Sequence, residues 1–416
     1  MKNDIFKIGD KAKLASKERI NSLKKNKVLS DFAILIERNK KKIINQNYKD
    51  IRLARKKVLK ENLIKRLELN EKKLKEIITS IKNIIKIKDP VDNTLANWKV
   101  KSGLKIKRVT VPIGVIGVIY ESRPNVTSDV SCLCFKAGNS VILKGGTESY
   151  FSNKLISNLF RKSLDFYNID KNYVQFIDNK KRSVVKFMLS KMNEFIDVII
   201  PRGGKNLVKM VQKFSKIPTI GHLEGICHTY IDKYANLNMS KSLVYNAKMR
   251  NTSICGATET LLIHDQVIKK FVNPILNELK NSGCTIYADK KVKKYYLKNT
   301  LLATNNSWKK EHLTSKISVR SVKNIYEAIS HINKYGTMHT DAIITKNKKA
   351  AKIFLRNVKS SIAIHNSSTQ FADGGEFGFG AEVGISTNKL PPRGPVGLQQ
   401  LVTYKYEVLG SGQIRE

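Results

Sequence analysis

The chain has 416 residues, of which 41% are hydrophobic, 27% charged and 8% aromatic. At roughly 100–200 residues per domain this allows two or three domains, with cores large enough to need no disulfide staples. The composition excludes general disorder. A membrane helix is excluded too, because the longest nearly apolar run, Val111 to Tyr120, is about half the ~20 residues needed.

The N-terminal MKNDIFKIGDKAK mixes charges where a secretory leader would be apolar. Five cysteines stand at irregular spacings, so a reducing, cytoplasmic setting is expected. Lys and Arg number 77 against 34 acids, a formal charge of +43. The excess is spread along the chain, with short clusters at Lys40–Lys42, Lys180–Arg182 and Lys290–Lys294. No basic arm or nucleic-acid motif accompanies it. It reads as a compositional bias of a solvated surface that still attracts anionic substrates, and no nucleic-acid or membrane partner is expected.

Helices are expected through the first ninety residues. Leu74, Ile77, Ile78, Ile81, Ile84 and Ile85 follow the three-and-four spacing of one buried face, and Asp89-Pro90 ends the pattern. The period then changes. Short β-branched runs at Val115–Tyr120, Ser140–Leu143, Tyr173–Ile177 and Phe195–Ile200 alternate with helical patterns at Asn153–Phe166 and Val184–Met192. That alternation predicts a parallel sheet with helices on its faces.

A second series starts near Gly221, with strands at Thr229–Ile231, Thr260–Ile263, Ile317–Val322, Ala342–Thr345 and Ile362–Ile364. Helices at Ser240–Lys248, Gln266–Asn281, Asn324–Lys334 and Lys348–Asn357 lie between them. The fold class is therefore α/β, with two α/β domains. DGGEFGFGAEVG reads as a glycine-rich loop, and Leu401–Leu409 alternates like a final strand.

Few motifs carry chemistry by themselves. Gly378, Gly380 and Gly384 miss the dinucleotide fingerprint by one residue and lack its strand and helix flanks. Cys132, Cys134, Cys227 with His228, and Cys284 match no zinc spacing, so no metal is expected. Cys255 lies in S-I-C-G-A-T-E-T, where small neighbours leave room for a substrate. It reads either as a nucleophile or as filler. Asn125, in Y-E-S-R-P-N-V-T, is a turn asparagine or an amide aimed into a cleft. Lys144 ends a strand before Gly145-Gly146, where it can meet phosphate or simply join the surface lysines.

Longer stretches decide more. VPIGVIGVIYESRPNVTSDVSCLCFKAGNSVILKGGTES, IPRGGKNLV, SICGATETLLIH, YGTMHTDAIIT and FADGGEFGFGAEVGIST together resemble the gamma-glutamyl phosphate reductases, or glutamate-5-semialdehyde dehydrogenases, of the aldehyde dehydrogenase superfamily. The resemblance runs from about Asp89 to the end. It implies an aldehyde dehydrogenase-like fold with an NADPH-binding domain over residues 1–220 and a catalytic domain over 221–393. A small oligomerisation flap would pair 99–111 with the C-terminal strand in 394–416. Beyond the fold, it implies reduction of gamma-glutamyl phosphate to glutamate 5-semialdehyde and phosphate, the second step of proline synthesis.

The same resemblance makes Cys255 the nucleophile that carries the glutamyl thioester and Asn125 the oxyanion amide. Lys144 becomes an NADPH anchor, and Glu311 holds the nicotinamide ribose. A homo-oligomer and a transient contact with the upstream glutamate kinase are also implied. His222 and Glu224 fall near the place where hydrolytic relatives carry a water-activating base, and neither is expected to serve as one. Arg250, Asn251, Thr252, Gly256, Leu223, Glu224, Ile226 and Thr314 depart from the family pattern. Another acyl-phosphate or acyl-thioester reductase, or a non-catalytic basic binding protein, are the competing readings.

Overall fold

The computed structural model describes residues 2–59, 61–298 and 300–415. The chain divides into two compact units. One holds residues 1–221, 378–384 and 396–416; the other holds 222–377 and 385–395. Among the described residues no helix is long and apolar enough to cross a membrane.

The first unit opens with five helices: α1 (Lys2–Ala15), α2 (Ser22–Arg38), α3 (Lys40–Lys56), α4 (Glu61–Leu67) and α5 (Glu71–Lys86). The spacing expected around Leu74 is realised in α5, where Leu74, Ile77, Ile81 and Ile84 are buried and lysines face outward. Next come β1 (Thr94–Lys99), β2 (Lys105–Pro112), β3 (Val115–Tyr120), α6 (Pro124–Lys136), β4 (Ser140–Gly145), α7 (Tyr150–Phe166), β5 (Val174–Phe176), α8 (Ser183–Lys191), β6 (Val198–Arg202) and α9 (Lys205–Phe214). Strands β5, β4, β3 and β6 form a parallel sheet in that order.

Both faces of this sheet are covered, which is why β3 and β4 are buried along their whole length. On one face Phe32 of α2 and Phe135 of α6 pack against Phe160 of α7, with ring centroids 4.7 and 5.7 Å apart. On the other, Ile5 and Ala12 of α1 join Val184, Met188 and Leu207 of α8 and α9 in a separate core. The C-terminal strand Val402–Leu409 pairs antiparallel with β2, and β1 flanks β2 on its other side, giving a three-stranded sheet.

Two local expectations need correction. Asn125 is not a turn asparagine: Pro124 stands in the first turn of α6, where its missing N–H costs nothing, and Asn125 follows it in the helix. Phe195–Asp197 precede β6 as a turn, and the strand runs on to Arg202. Asp197 leaves the strand pattern because its carboxylate accepts the Val115 N–H at 2.7 Å.

The second unit contains β7 (Cys227–Ile231), α10 (Leu237–Met249), β8 (Thr258–His264), α11 (Ile268–Asn281), β9 (Thr285–Ala288), α12 (Lys290–Tyr295), β10 (Leu301–Leu302), β11 (Lys316–Val322), α13 (Ile325–Tyr335), β12 (Thr340–Ile344), α14 (Lys348–Asn357) and β13 (Ile362–His365). Its seven strands run parallel in the order β10-β9-β11-β8-β7-β12-β13. Helices α10 to α12 cover one face and α13 with α14 the other, each over its own core. Strand β9 was not foreseen, because Thr285–Ala288 is four residues with no run long enough to show a period.

One buried carboxylate organises the helical layer of the first unit. Helix α7 has no side-chain cap of its own. Asp50, from α3 and 1% exposed, accepts from the Phe151 and Ser152 N–H groups at 3.0 and 2.8 Å and from Ser152 Oγ at 2.7 Å. Burial raises its carboxyl above the ordinary value, and these donors oppose the rise. Asp50→Ala strands two helix N–H groups in a dry interior, so chemical denaturation should show the first unit destabilised by about 2–3 kcal/mol.

Candidate functional site

The second unit gathers a reactive centre around Cys255. The residue sits in a short turn between α10 and β8, because Gly256 and Ala257 lead directly into the buried start of the strand. Gly225 lies against it: a Cβ at 225 would overlap the carbonyl oxygen and Cβ of Cys255, so only glycine lets the two segments approach. The Cys227 thiol donates to the Cys255 carbonyl oxygen at 3.1 Å.

Two imidazoles complete the centre. One nitrogen of His222, one nitrogen of His339 and Sγ of Cys255 all lie within 4.8 Å of one another. The two rings meet edge to face with centroids 4.9 Å apart. His222 Nδ1 lies 2.7 Å from the Ile385 carbonyl oxygen, an acceptor only, so that nitrogen carries the proton. His339 Nδ1 faces Thr340 Oγ1 at 2.9 Å and Cys227 Sγ at 3.5 Å. These are donors of the kind that hold zinc, brought together by folding with no zinc spacing in the sequence.

The electrostatics separate the cysteines sharply. Burial pushes the Cys255 thiol up, but His339 and His222 outweigh it by charge and hydrogen bonding and hold it well below the usual thiol range. Burial drives Cys132, Cys134 and Cys227 far up instead, and Cys284 to about 11. Cys255 is half-buried while the other four are buried. One thiol is therefore both ionised and reachable.

Glu311 stands beside this centre, its Oε1 accepting from the Gly225 N–H at 2.8 Å. Burial raises its carboxyl, and the charge of Cys255 raises it further. Its loop is tethered from below. Lys248 and Glu259, both fully buried, form an ion pair at 2.9 Å, and Glu259 Oε1 accepts from the Leu313 N–H at 3.1 Å. Burial pushes the Glu259 carboxyl up to about 7 despite Lys248.

Asn125 and Lys144 belong to the first unit, where they line different cavities. Asn125 Nδ2 donates to Asp129 Oδ2 at 3.1 Å, one turn further along α6. Lys144 ends β4, is 6% exposed, and donates to the Gly145 carbonyl oxygen at 2.8 Å. Burial pulls its ammonium below the ordinary lysine value, with Glu148 opposing. Its cavity, about 330 Å³, opens at the carboxyl ends of β3 and β4 and also takes in Lys180, Arg182 and Asn206. Glu148, on the same wall, is engaged by the N–H and Oγ of Ser122 at 2.7 and 2.9 Å.

His339 is the member of this cluster that the sequence did not single out, although it sits inside YGTMHTDAIIT. A histidine before a buried strand has no local mark, and its partner Cys255 is far away in the chain. Lys180 and Arg182 were read only as a surface cluster, since nothing local shows that the loop after β5 turns them toward Lys144.

A model of the aldehyde dehydrogenase family matches residues 2–285. The gamma-glutamyl phosphate reductase of Bartonella quintana (strain Toulouse) is 44% identical over 396 residues, 95% of this chain and 96% of that protein. Its counterpart in Nautilia profundicola is 42% identical over 416 residues, all of both chains. The crystal structure of gamma-glutamyl phosphate reductase from Thermotoga maritima superposes with a TM-score of 0.95 at 38% identity, covering 99% of each chain. An acetylating aldehyde dehydrogenase from Geobacillus thermoglucosidasius, 14% identical with a TM-score of 0.70, shares the fold alone. The chain thus belongs to the aldehyde dehydrogenase family, within its gamma-glutamyl phosphate reductases.

Proposed function

We propose that this chain reduces gamma-glutamyl phosphate to glutamate 5-semialdehyde and phosphate with NADPH, the second step of proline biosynthesis from glutamate. The observation that carries the reading is the Cys255 thiol, held well below its ordinary value beside His339 and His222 in an enzyme of this family. As a thiolate it attacks the acyl carbon, phosphate leaves, and the glutamyl group remains as a thioester. Asn125, by its place in the family motif, donates to the acyl oxygen as negative charge develops there. The imidazoles lie close enough to hold the proton that the thiol gives up and to return it when the aldehyde departs.

The cavity at Lys144 fits a dinucleotide phosphate, since Lys144, Lys180 and Arg182 bring three cations to strand ends while Glu148 is engaged by Ser122. NADPH, when bound, supplies hydride to the acyl carbon. Lys144, Lys180 and Arg182 would hold its phosphates, and Glu311 its nicotinamide ribose by family resemblance. A homo-oligomer is proposed through the three-stranded sheet, where Trp98, Tyr404, Tyr406 and Val408 stay exposed.

The deciding experiment runs the reaction backwards. Glutamate 5-semialdehyde with NADP+ should yield NADPH only when inorganic phosphate is present, with at most one equivalent per site in its absence. Arsenate should replace phosphate. Steady, phosphate-independent production would mean that water opens the thioester, and the reading would fall. Cys255→Ser should lose at least ~10³ of the rate in either direction while NADPH still binds.

Alkylation by iodoacetamide reads the thiol directly. Only the thiolate reacts, and a folded value below the ordinary one keeps Cys255 ionised as pH falls through the usual thiol range. Its rate should hold at neutral pH and decline only in more acid solution, one label entering per chain. His339, His222, Glu311 and Cys227 face the sulfur, and His339→Gln should move the inflection upward because burial then acts less opposed.

Lys144→Ala should weaken NADPH binding, measured by fluorescence titration, by an amount that shrinks as salt rises. A charge contact is screened over a Debye length of about 10 Å at 0.1 M. A salt-independent loss would make Lys144 a packing residue.

A further inference from the structure

The reactive centre of the second unit is also a metal-binding donor set. We propose that Cys255 Sγ and one imidazole nitrogen each of His222 and His339 form a seat for a zinc ion, which blocks the thiol reversibly. The seat is a property of these three side chains and does not depend on which acyl compound the chain reduces.

Geometry supports it first. The three donor atoms already lie within 4.8 Å of one another. Zinc binds sulfur at about 2.3 Å and imidazole nitrogen at about 2.0–2.1 Å, which sets tetrahedral donors about 3.3–3.6 Å apart. Closing around an ion therefore asks for shifts of about 1.5 Å at most. Cys255 stands in a turn outside the strand ladder, where such a shift breaks no strand pairing.

The outer partners of the two rings support it second. His222 donates from Nδ1 to the Ile385 carbonyl oxygen at 2.7 Å. Cys227 gives its proton to the Cys255 carbonyl oxygen, so its sulfur faces His339 Nδ1 at 3.5 Å as an acceptor. Thr340 Oγ1 stands at 2.9 Å from the same nitrogen. Both rings therefore carry a proton on Nδ1 and offer Nε2 to a metal, the arrangement that orients metal-bound histidine. His339 is 1% exposed, and its Nε2 is buried with no well-formed hydrogen bond among the described residues. A buried polar atom left in that state is costly, and an ion would satisfy it.

Charge and donor chemistry agree. The charge of Cys255 raises the neighbouring Glu311 carboxyl, and a divalent cation at the sulfur would offset both. One thiolate with two imidazoles suits zinc, whereas magnesium and calcium take oxygen ligands. Zinc would occupy the sulfur lone pair that otherwise attacks the acyl carbon. The proton shared by the thiol and the imidazoles leaves for solvent, no atom changes oxidation state, and the fourth position stays open to water.

Cobalt(II) takes zinc sites and is coloured, so it reads the coordination without turnover. Titrating the full chain with cobalt should develop a sulfur-to-cobalt charge-transfer band that saturates at one ion per chain. Zinc should displace it and magnesium should leave it untouched. Cys255→Ser should abolish the band, and His222→Gln or His339→Gln should weaken zinc binding at least ~10-fold. Circular dichroism checks each variant for folding. Should the buried His339 variant unfold, the half-buried His222 carries the test.

Zinc should also slow iodoacetamide labelling of Cys255 and inhibit aldehyde oxidation, with both effects reversed by EDTA. A band that survives Cys255→Ser would overturn the proposal, as would unchanged zinc affinity in a folded histidine variant. Equal inhibition by magnesium would overturn it too, by reducing the effect to unspecific charge. A chain that shows the cobalt band but oxidises no aldehyde would sink the proposed reaction and keep the seat.

Discussion

The candidate site depends on a contest at one sulfur. Taking a thiol out of water favours its neutral form, and four of the five cysteines obey that rule. Cys255 escapes because two imidazoles stand beside it, so a desolvated site that would silence a thiol instead holds a thiolate. The same partial burial that strengthens the imidazole field limits competing water. Cys227 shows the contrast at close range: its thiol stays protonated and serves only as a donor to the Cys255 carbonyl oxygen.

Most of the second unit can be understood as holding that arrangement. Gly225 lets its strand lead-in close on the Cys255 turn, and its N–H fixes Glu311. The Lys248–Glu259 pair is buried at a cost in desolvation that hydrogen bonds only partly offset. Its second oxygen anchors Leu313, which takes a left-handed backbone at φ +52° that a β-carbon residue adopts only when its surroundings impose it. A buried charge thus sets the path of the loop carrying Glu311. His339 is fixed in turn by Thr340 at the start of β12.

The charge of the chain finds its place on the same terms. A net +43 says nothing about the fold, yet a few of its cations reach interior positions where low exposure makes them specific. Lys144, 6% exposed at the end of β4, is one, and Lys248 is another. The remainder decorates solvated helix faces, as in α5, and adds a field that draws in anionic phosphates without choosing among them.

The sequence by itself determined what depends on neighbours in the chain. The β-branched runs of β3, β4, β8 and β12 and the three-and-four spacing of α5 were legible because period and burial are local consequences of backbone geometry. The long motifs around Asn125, Lys144 and Cys255 were legible for the same reason. What only the tertiary structure decided are meetings between distant residues: His222 and His339 at Cys255, Glu259 under the Glu311 loop, Lys180 beside Lys144, and Asp50 capping a helix about a hundred residues away. No local pattern encodes them. Each depends on where strand order and packing place the chain, and only after that placement do desolvation and Coulomb forces decide which cysteine is held as a thiolate.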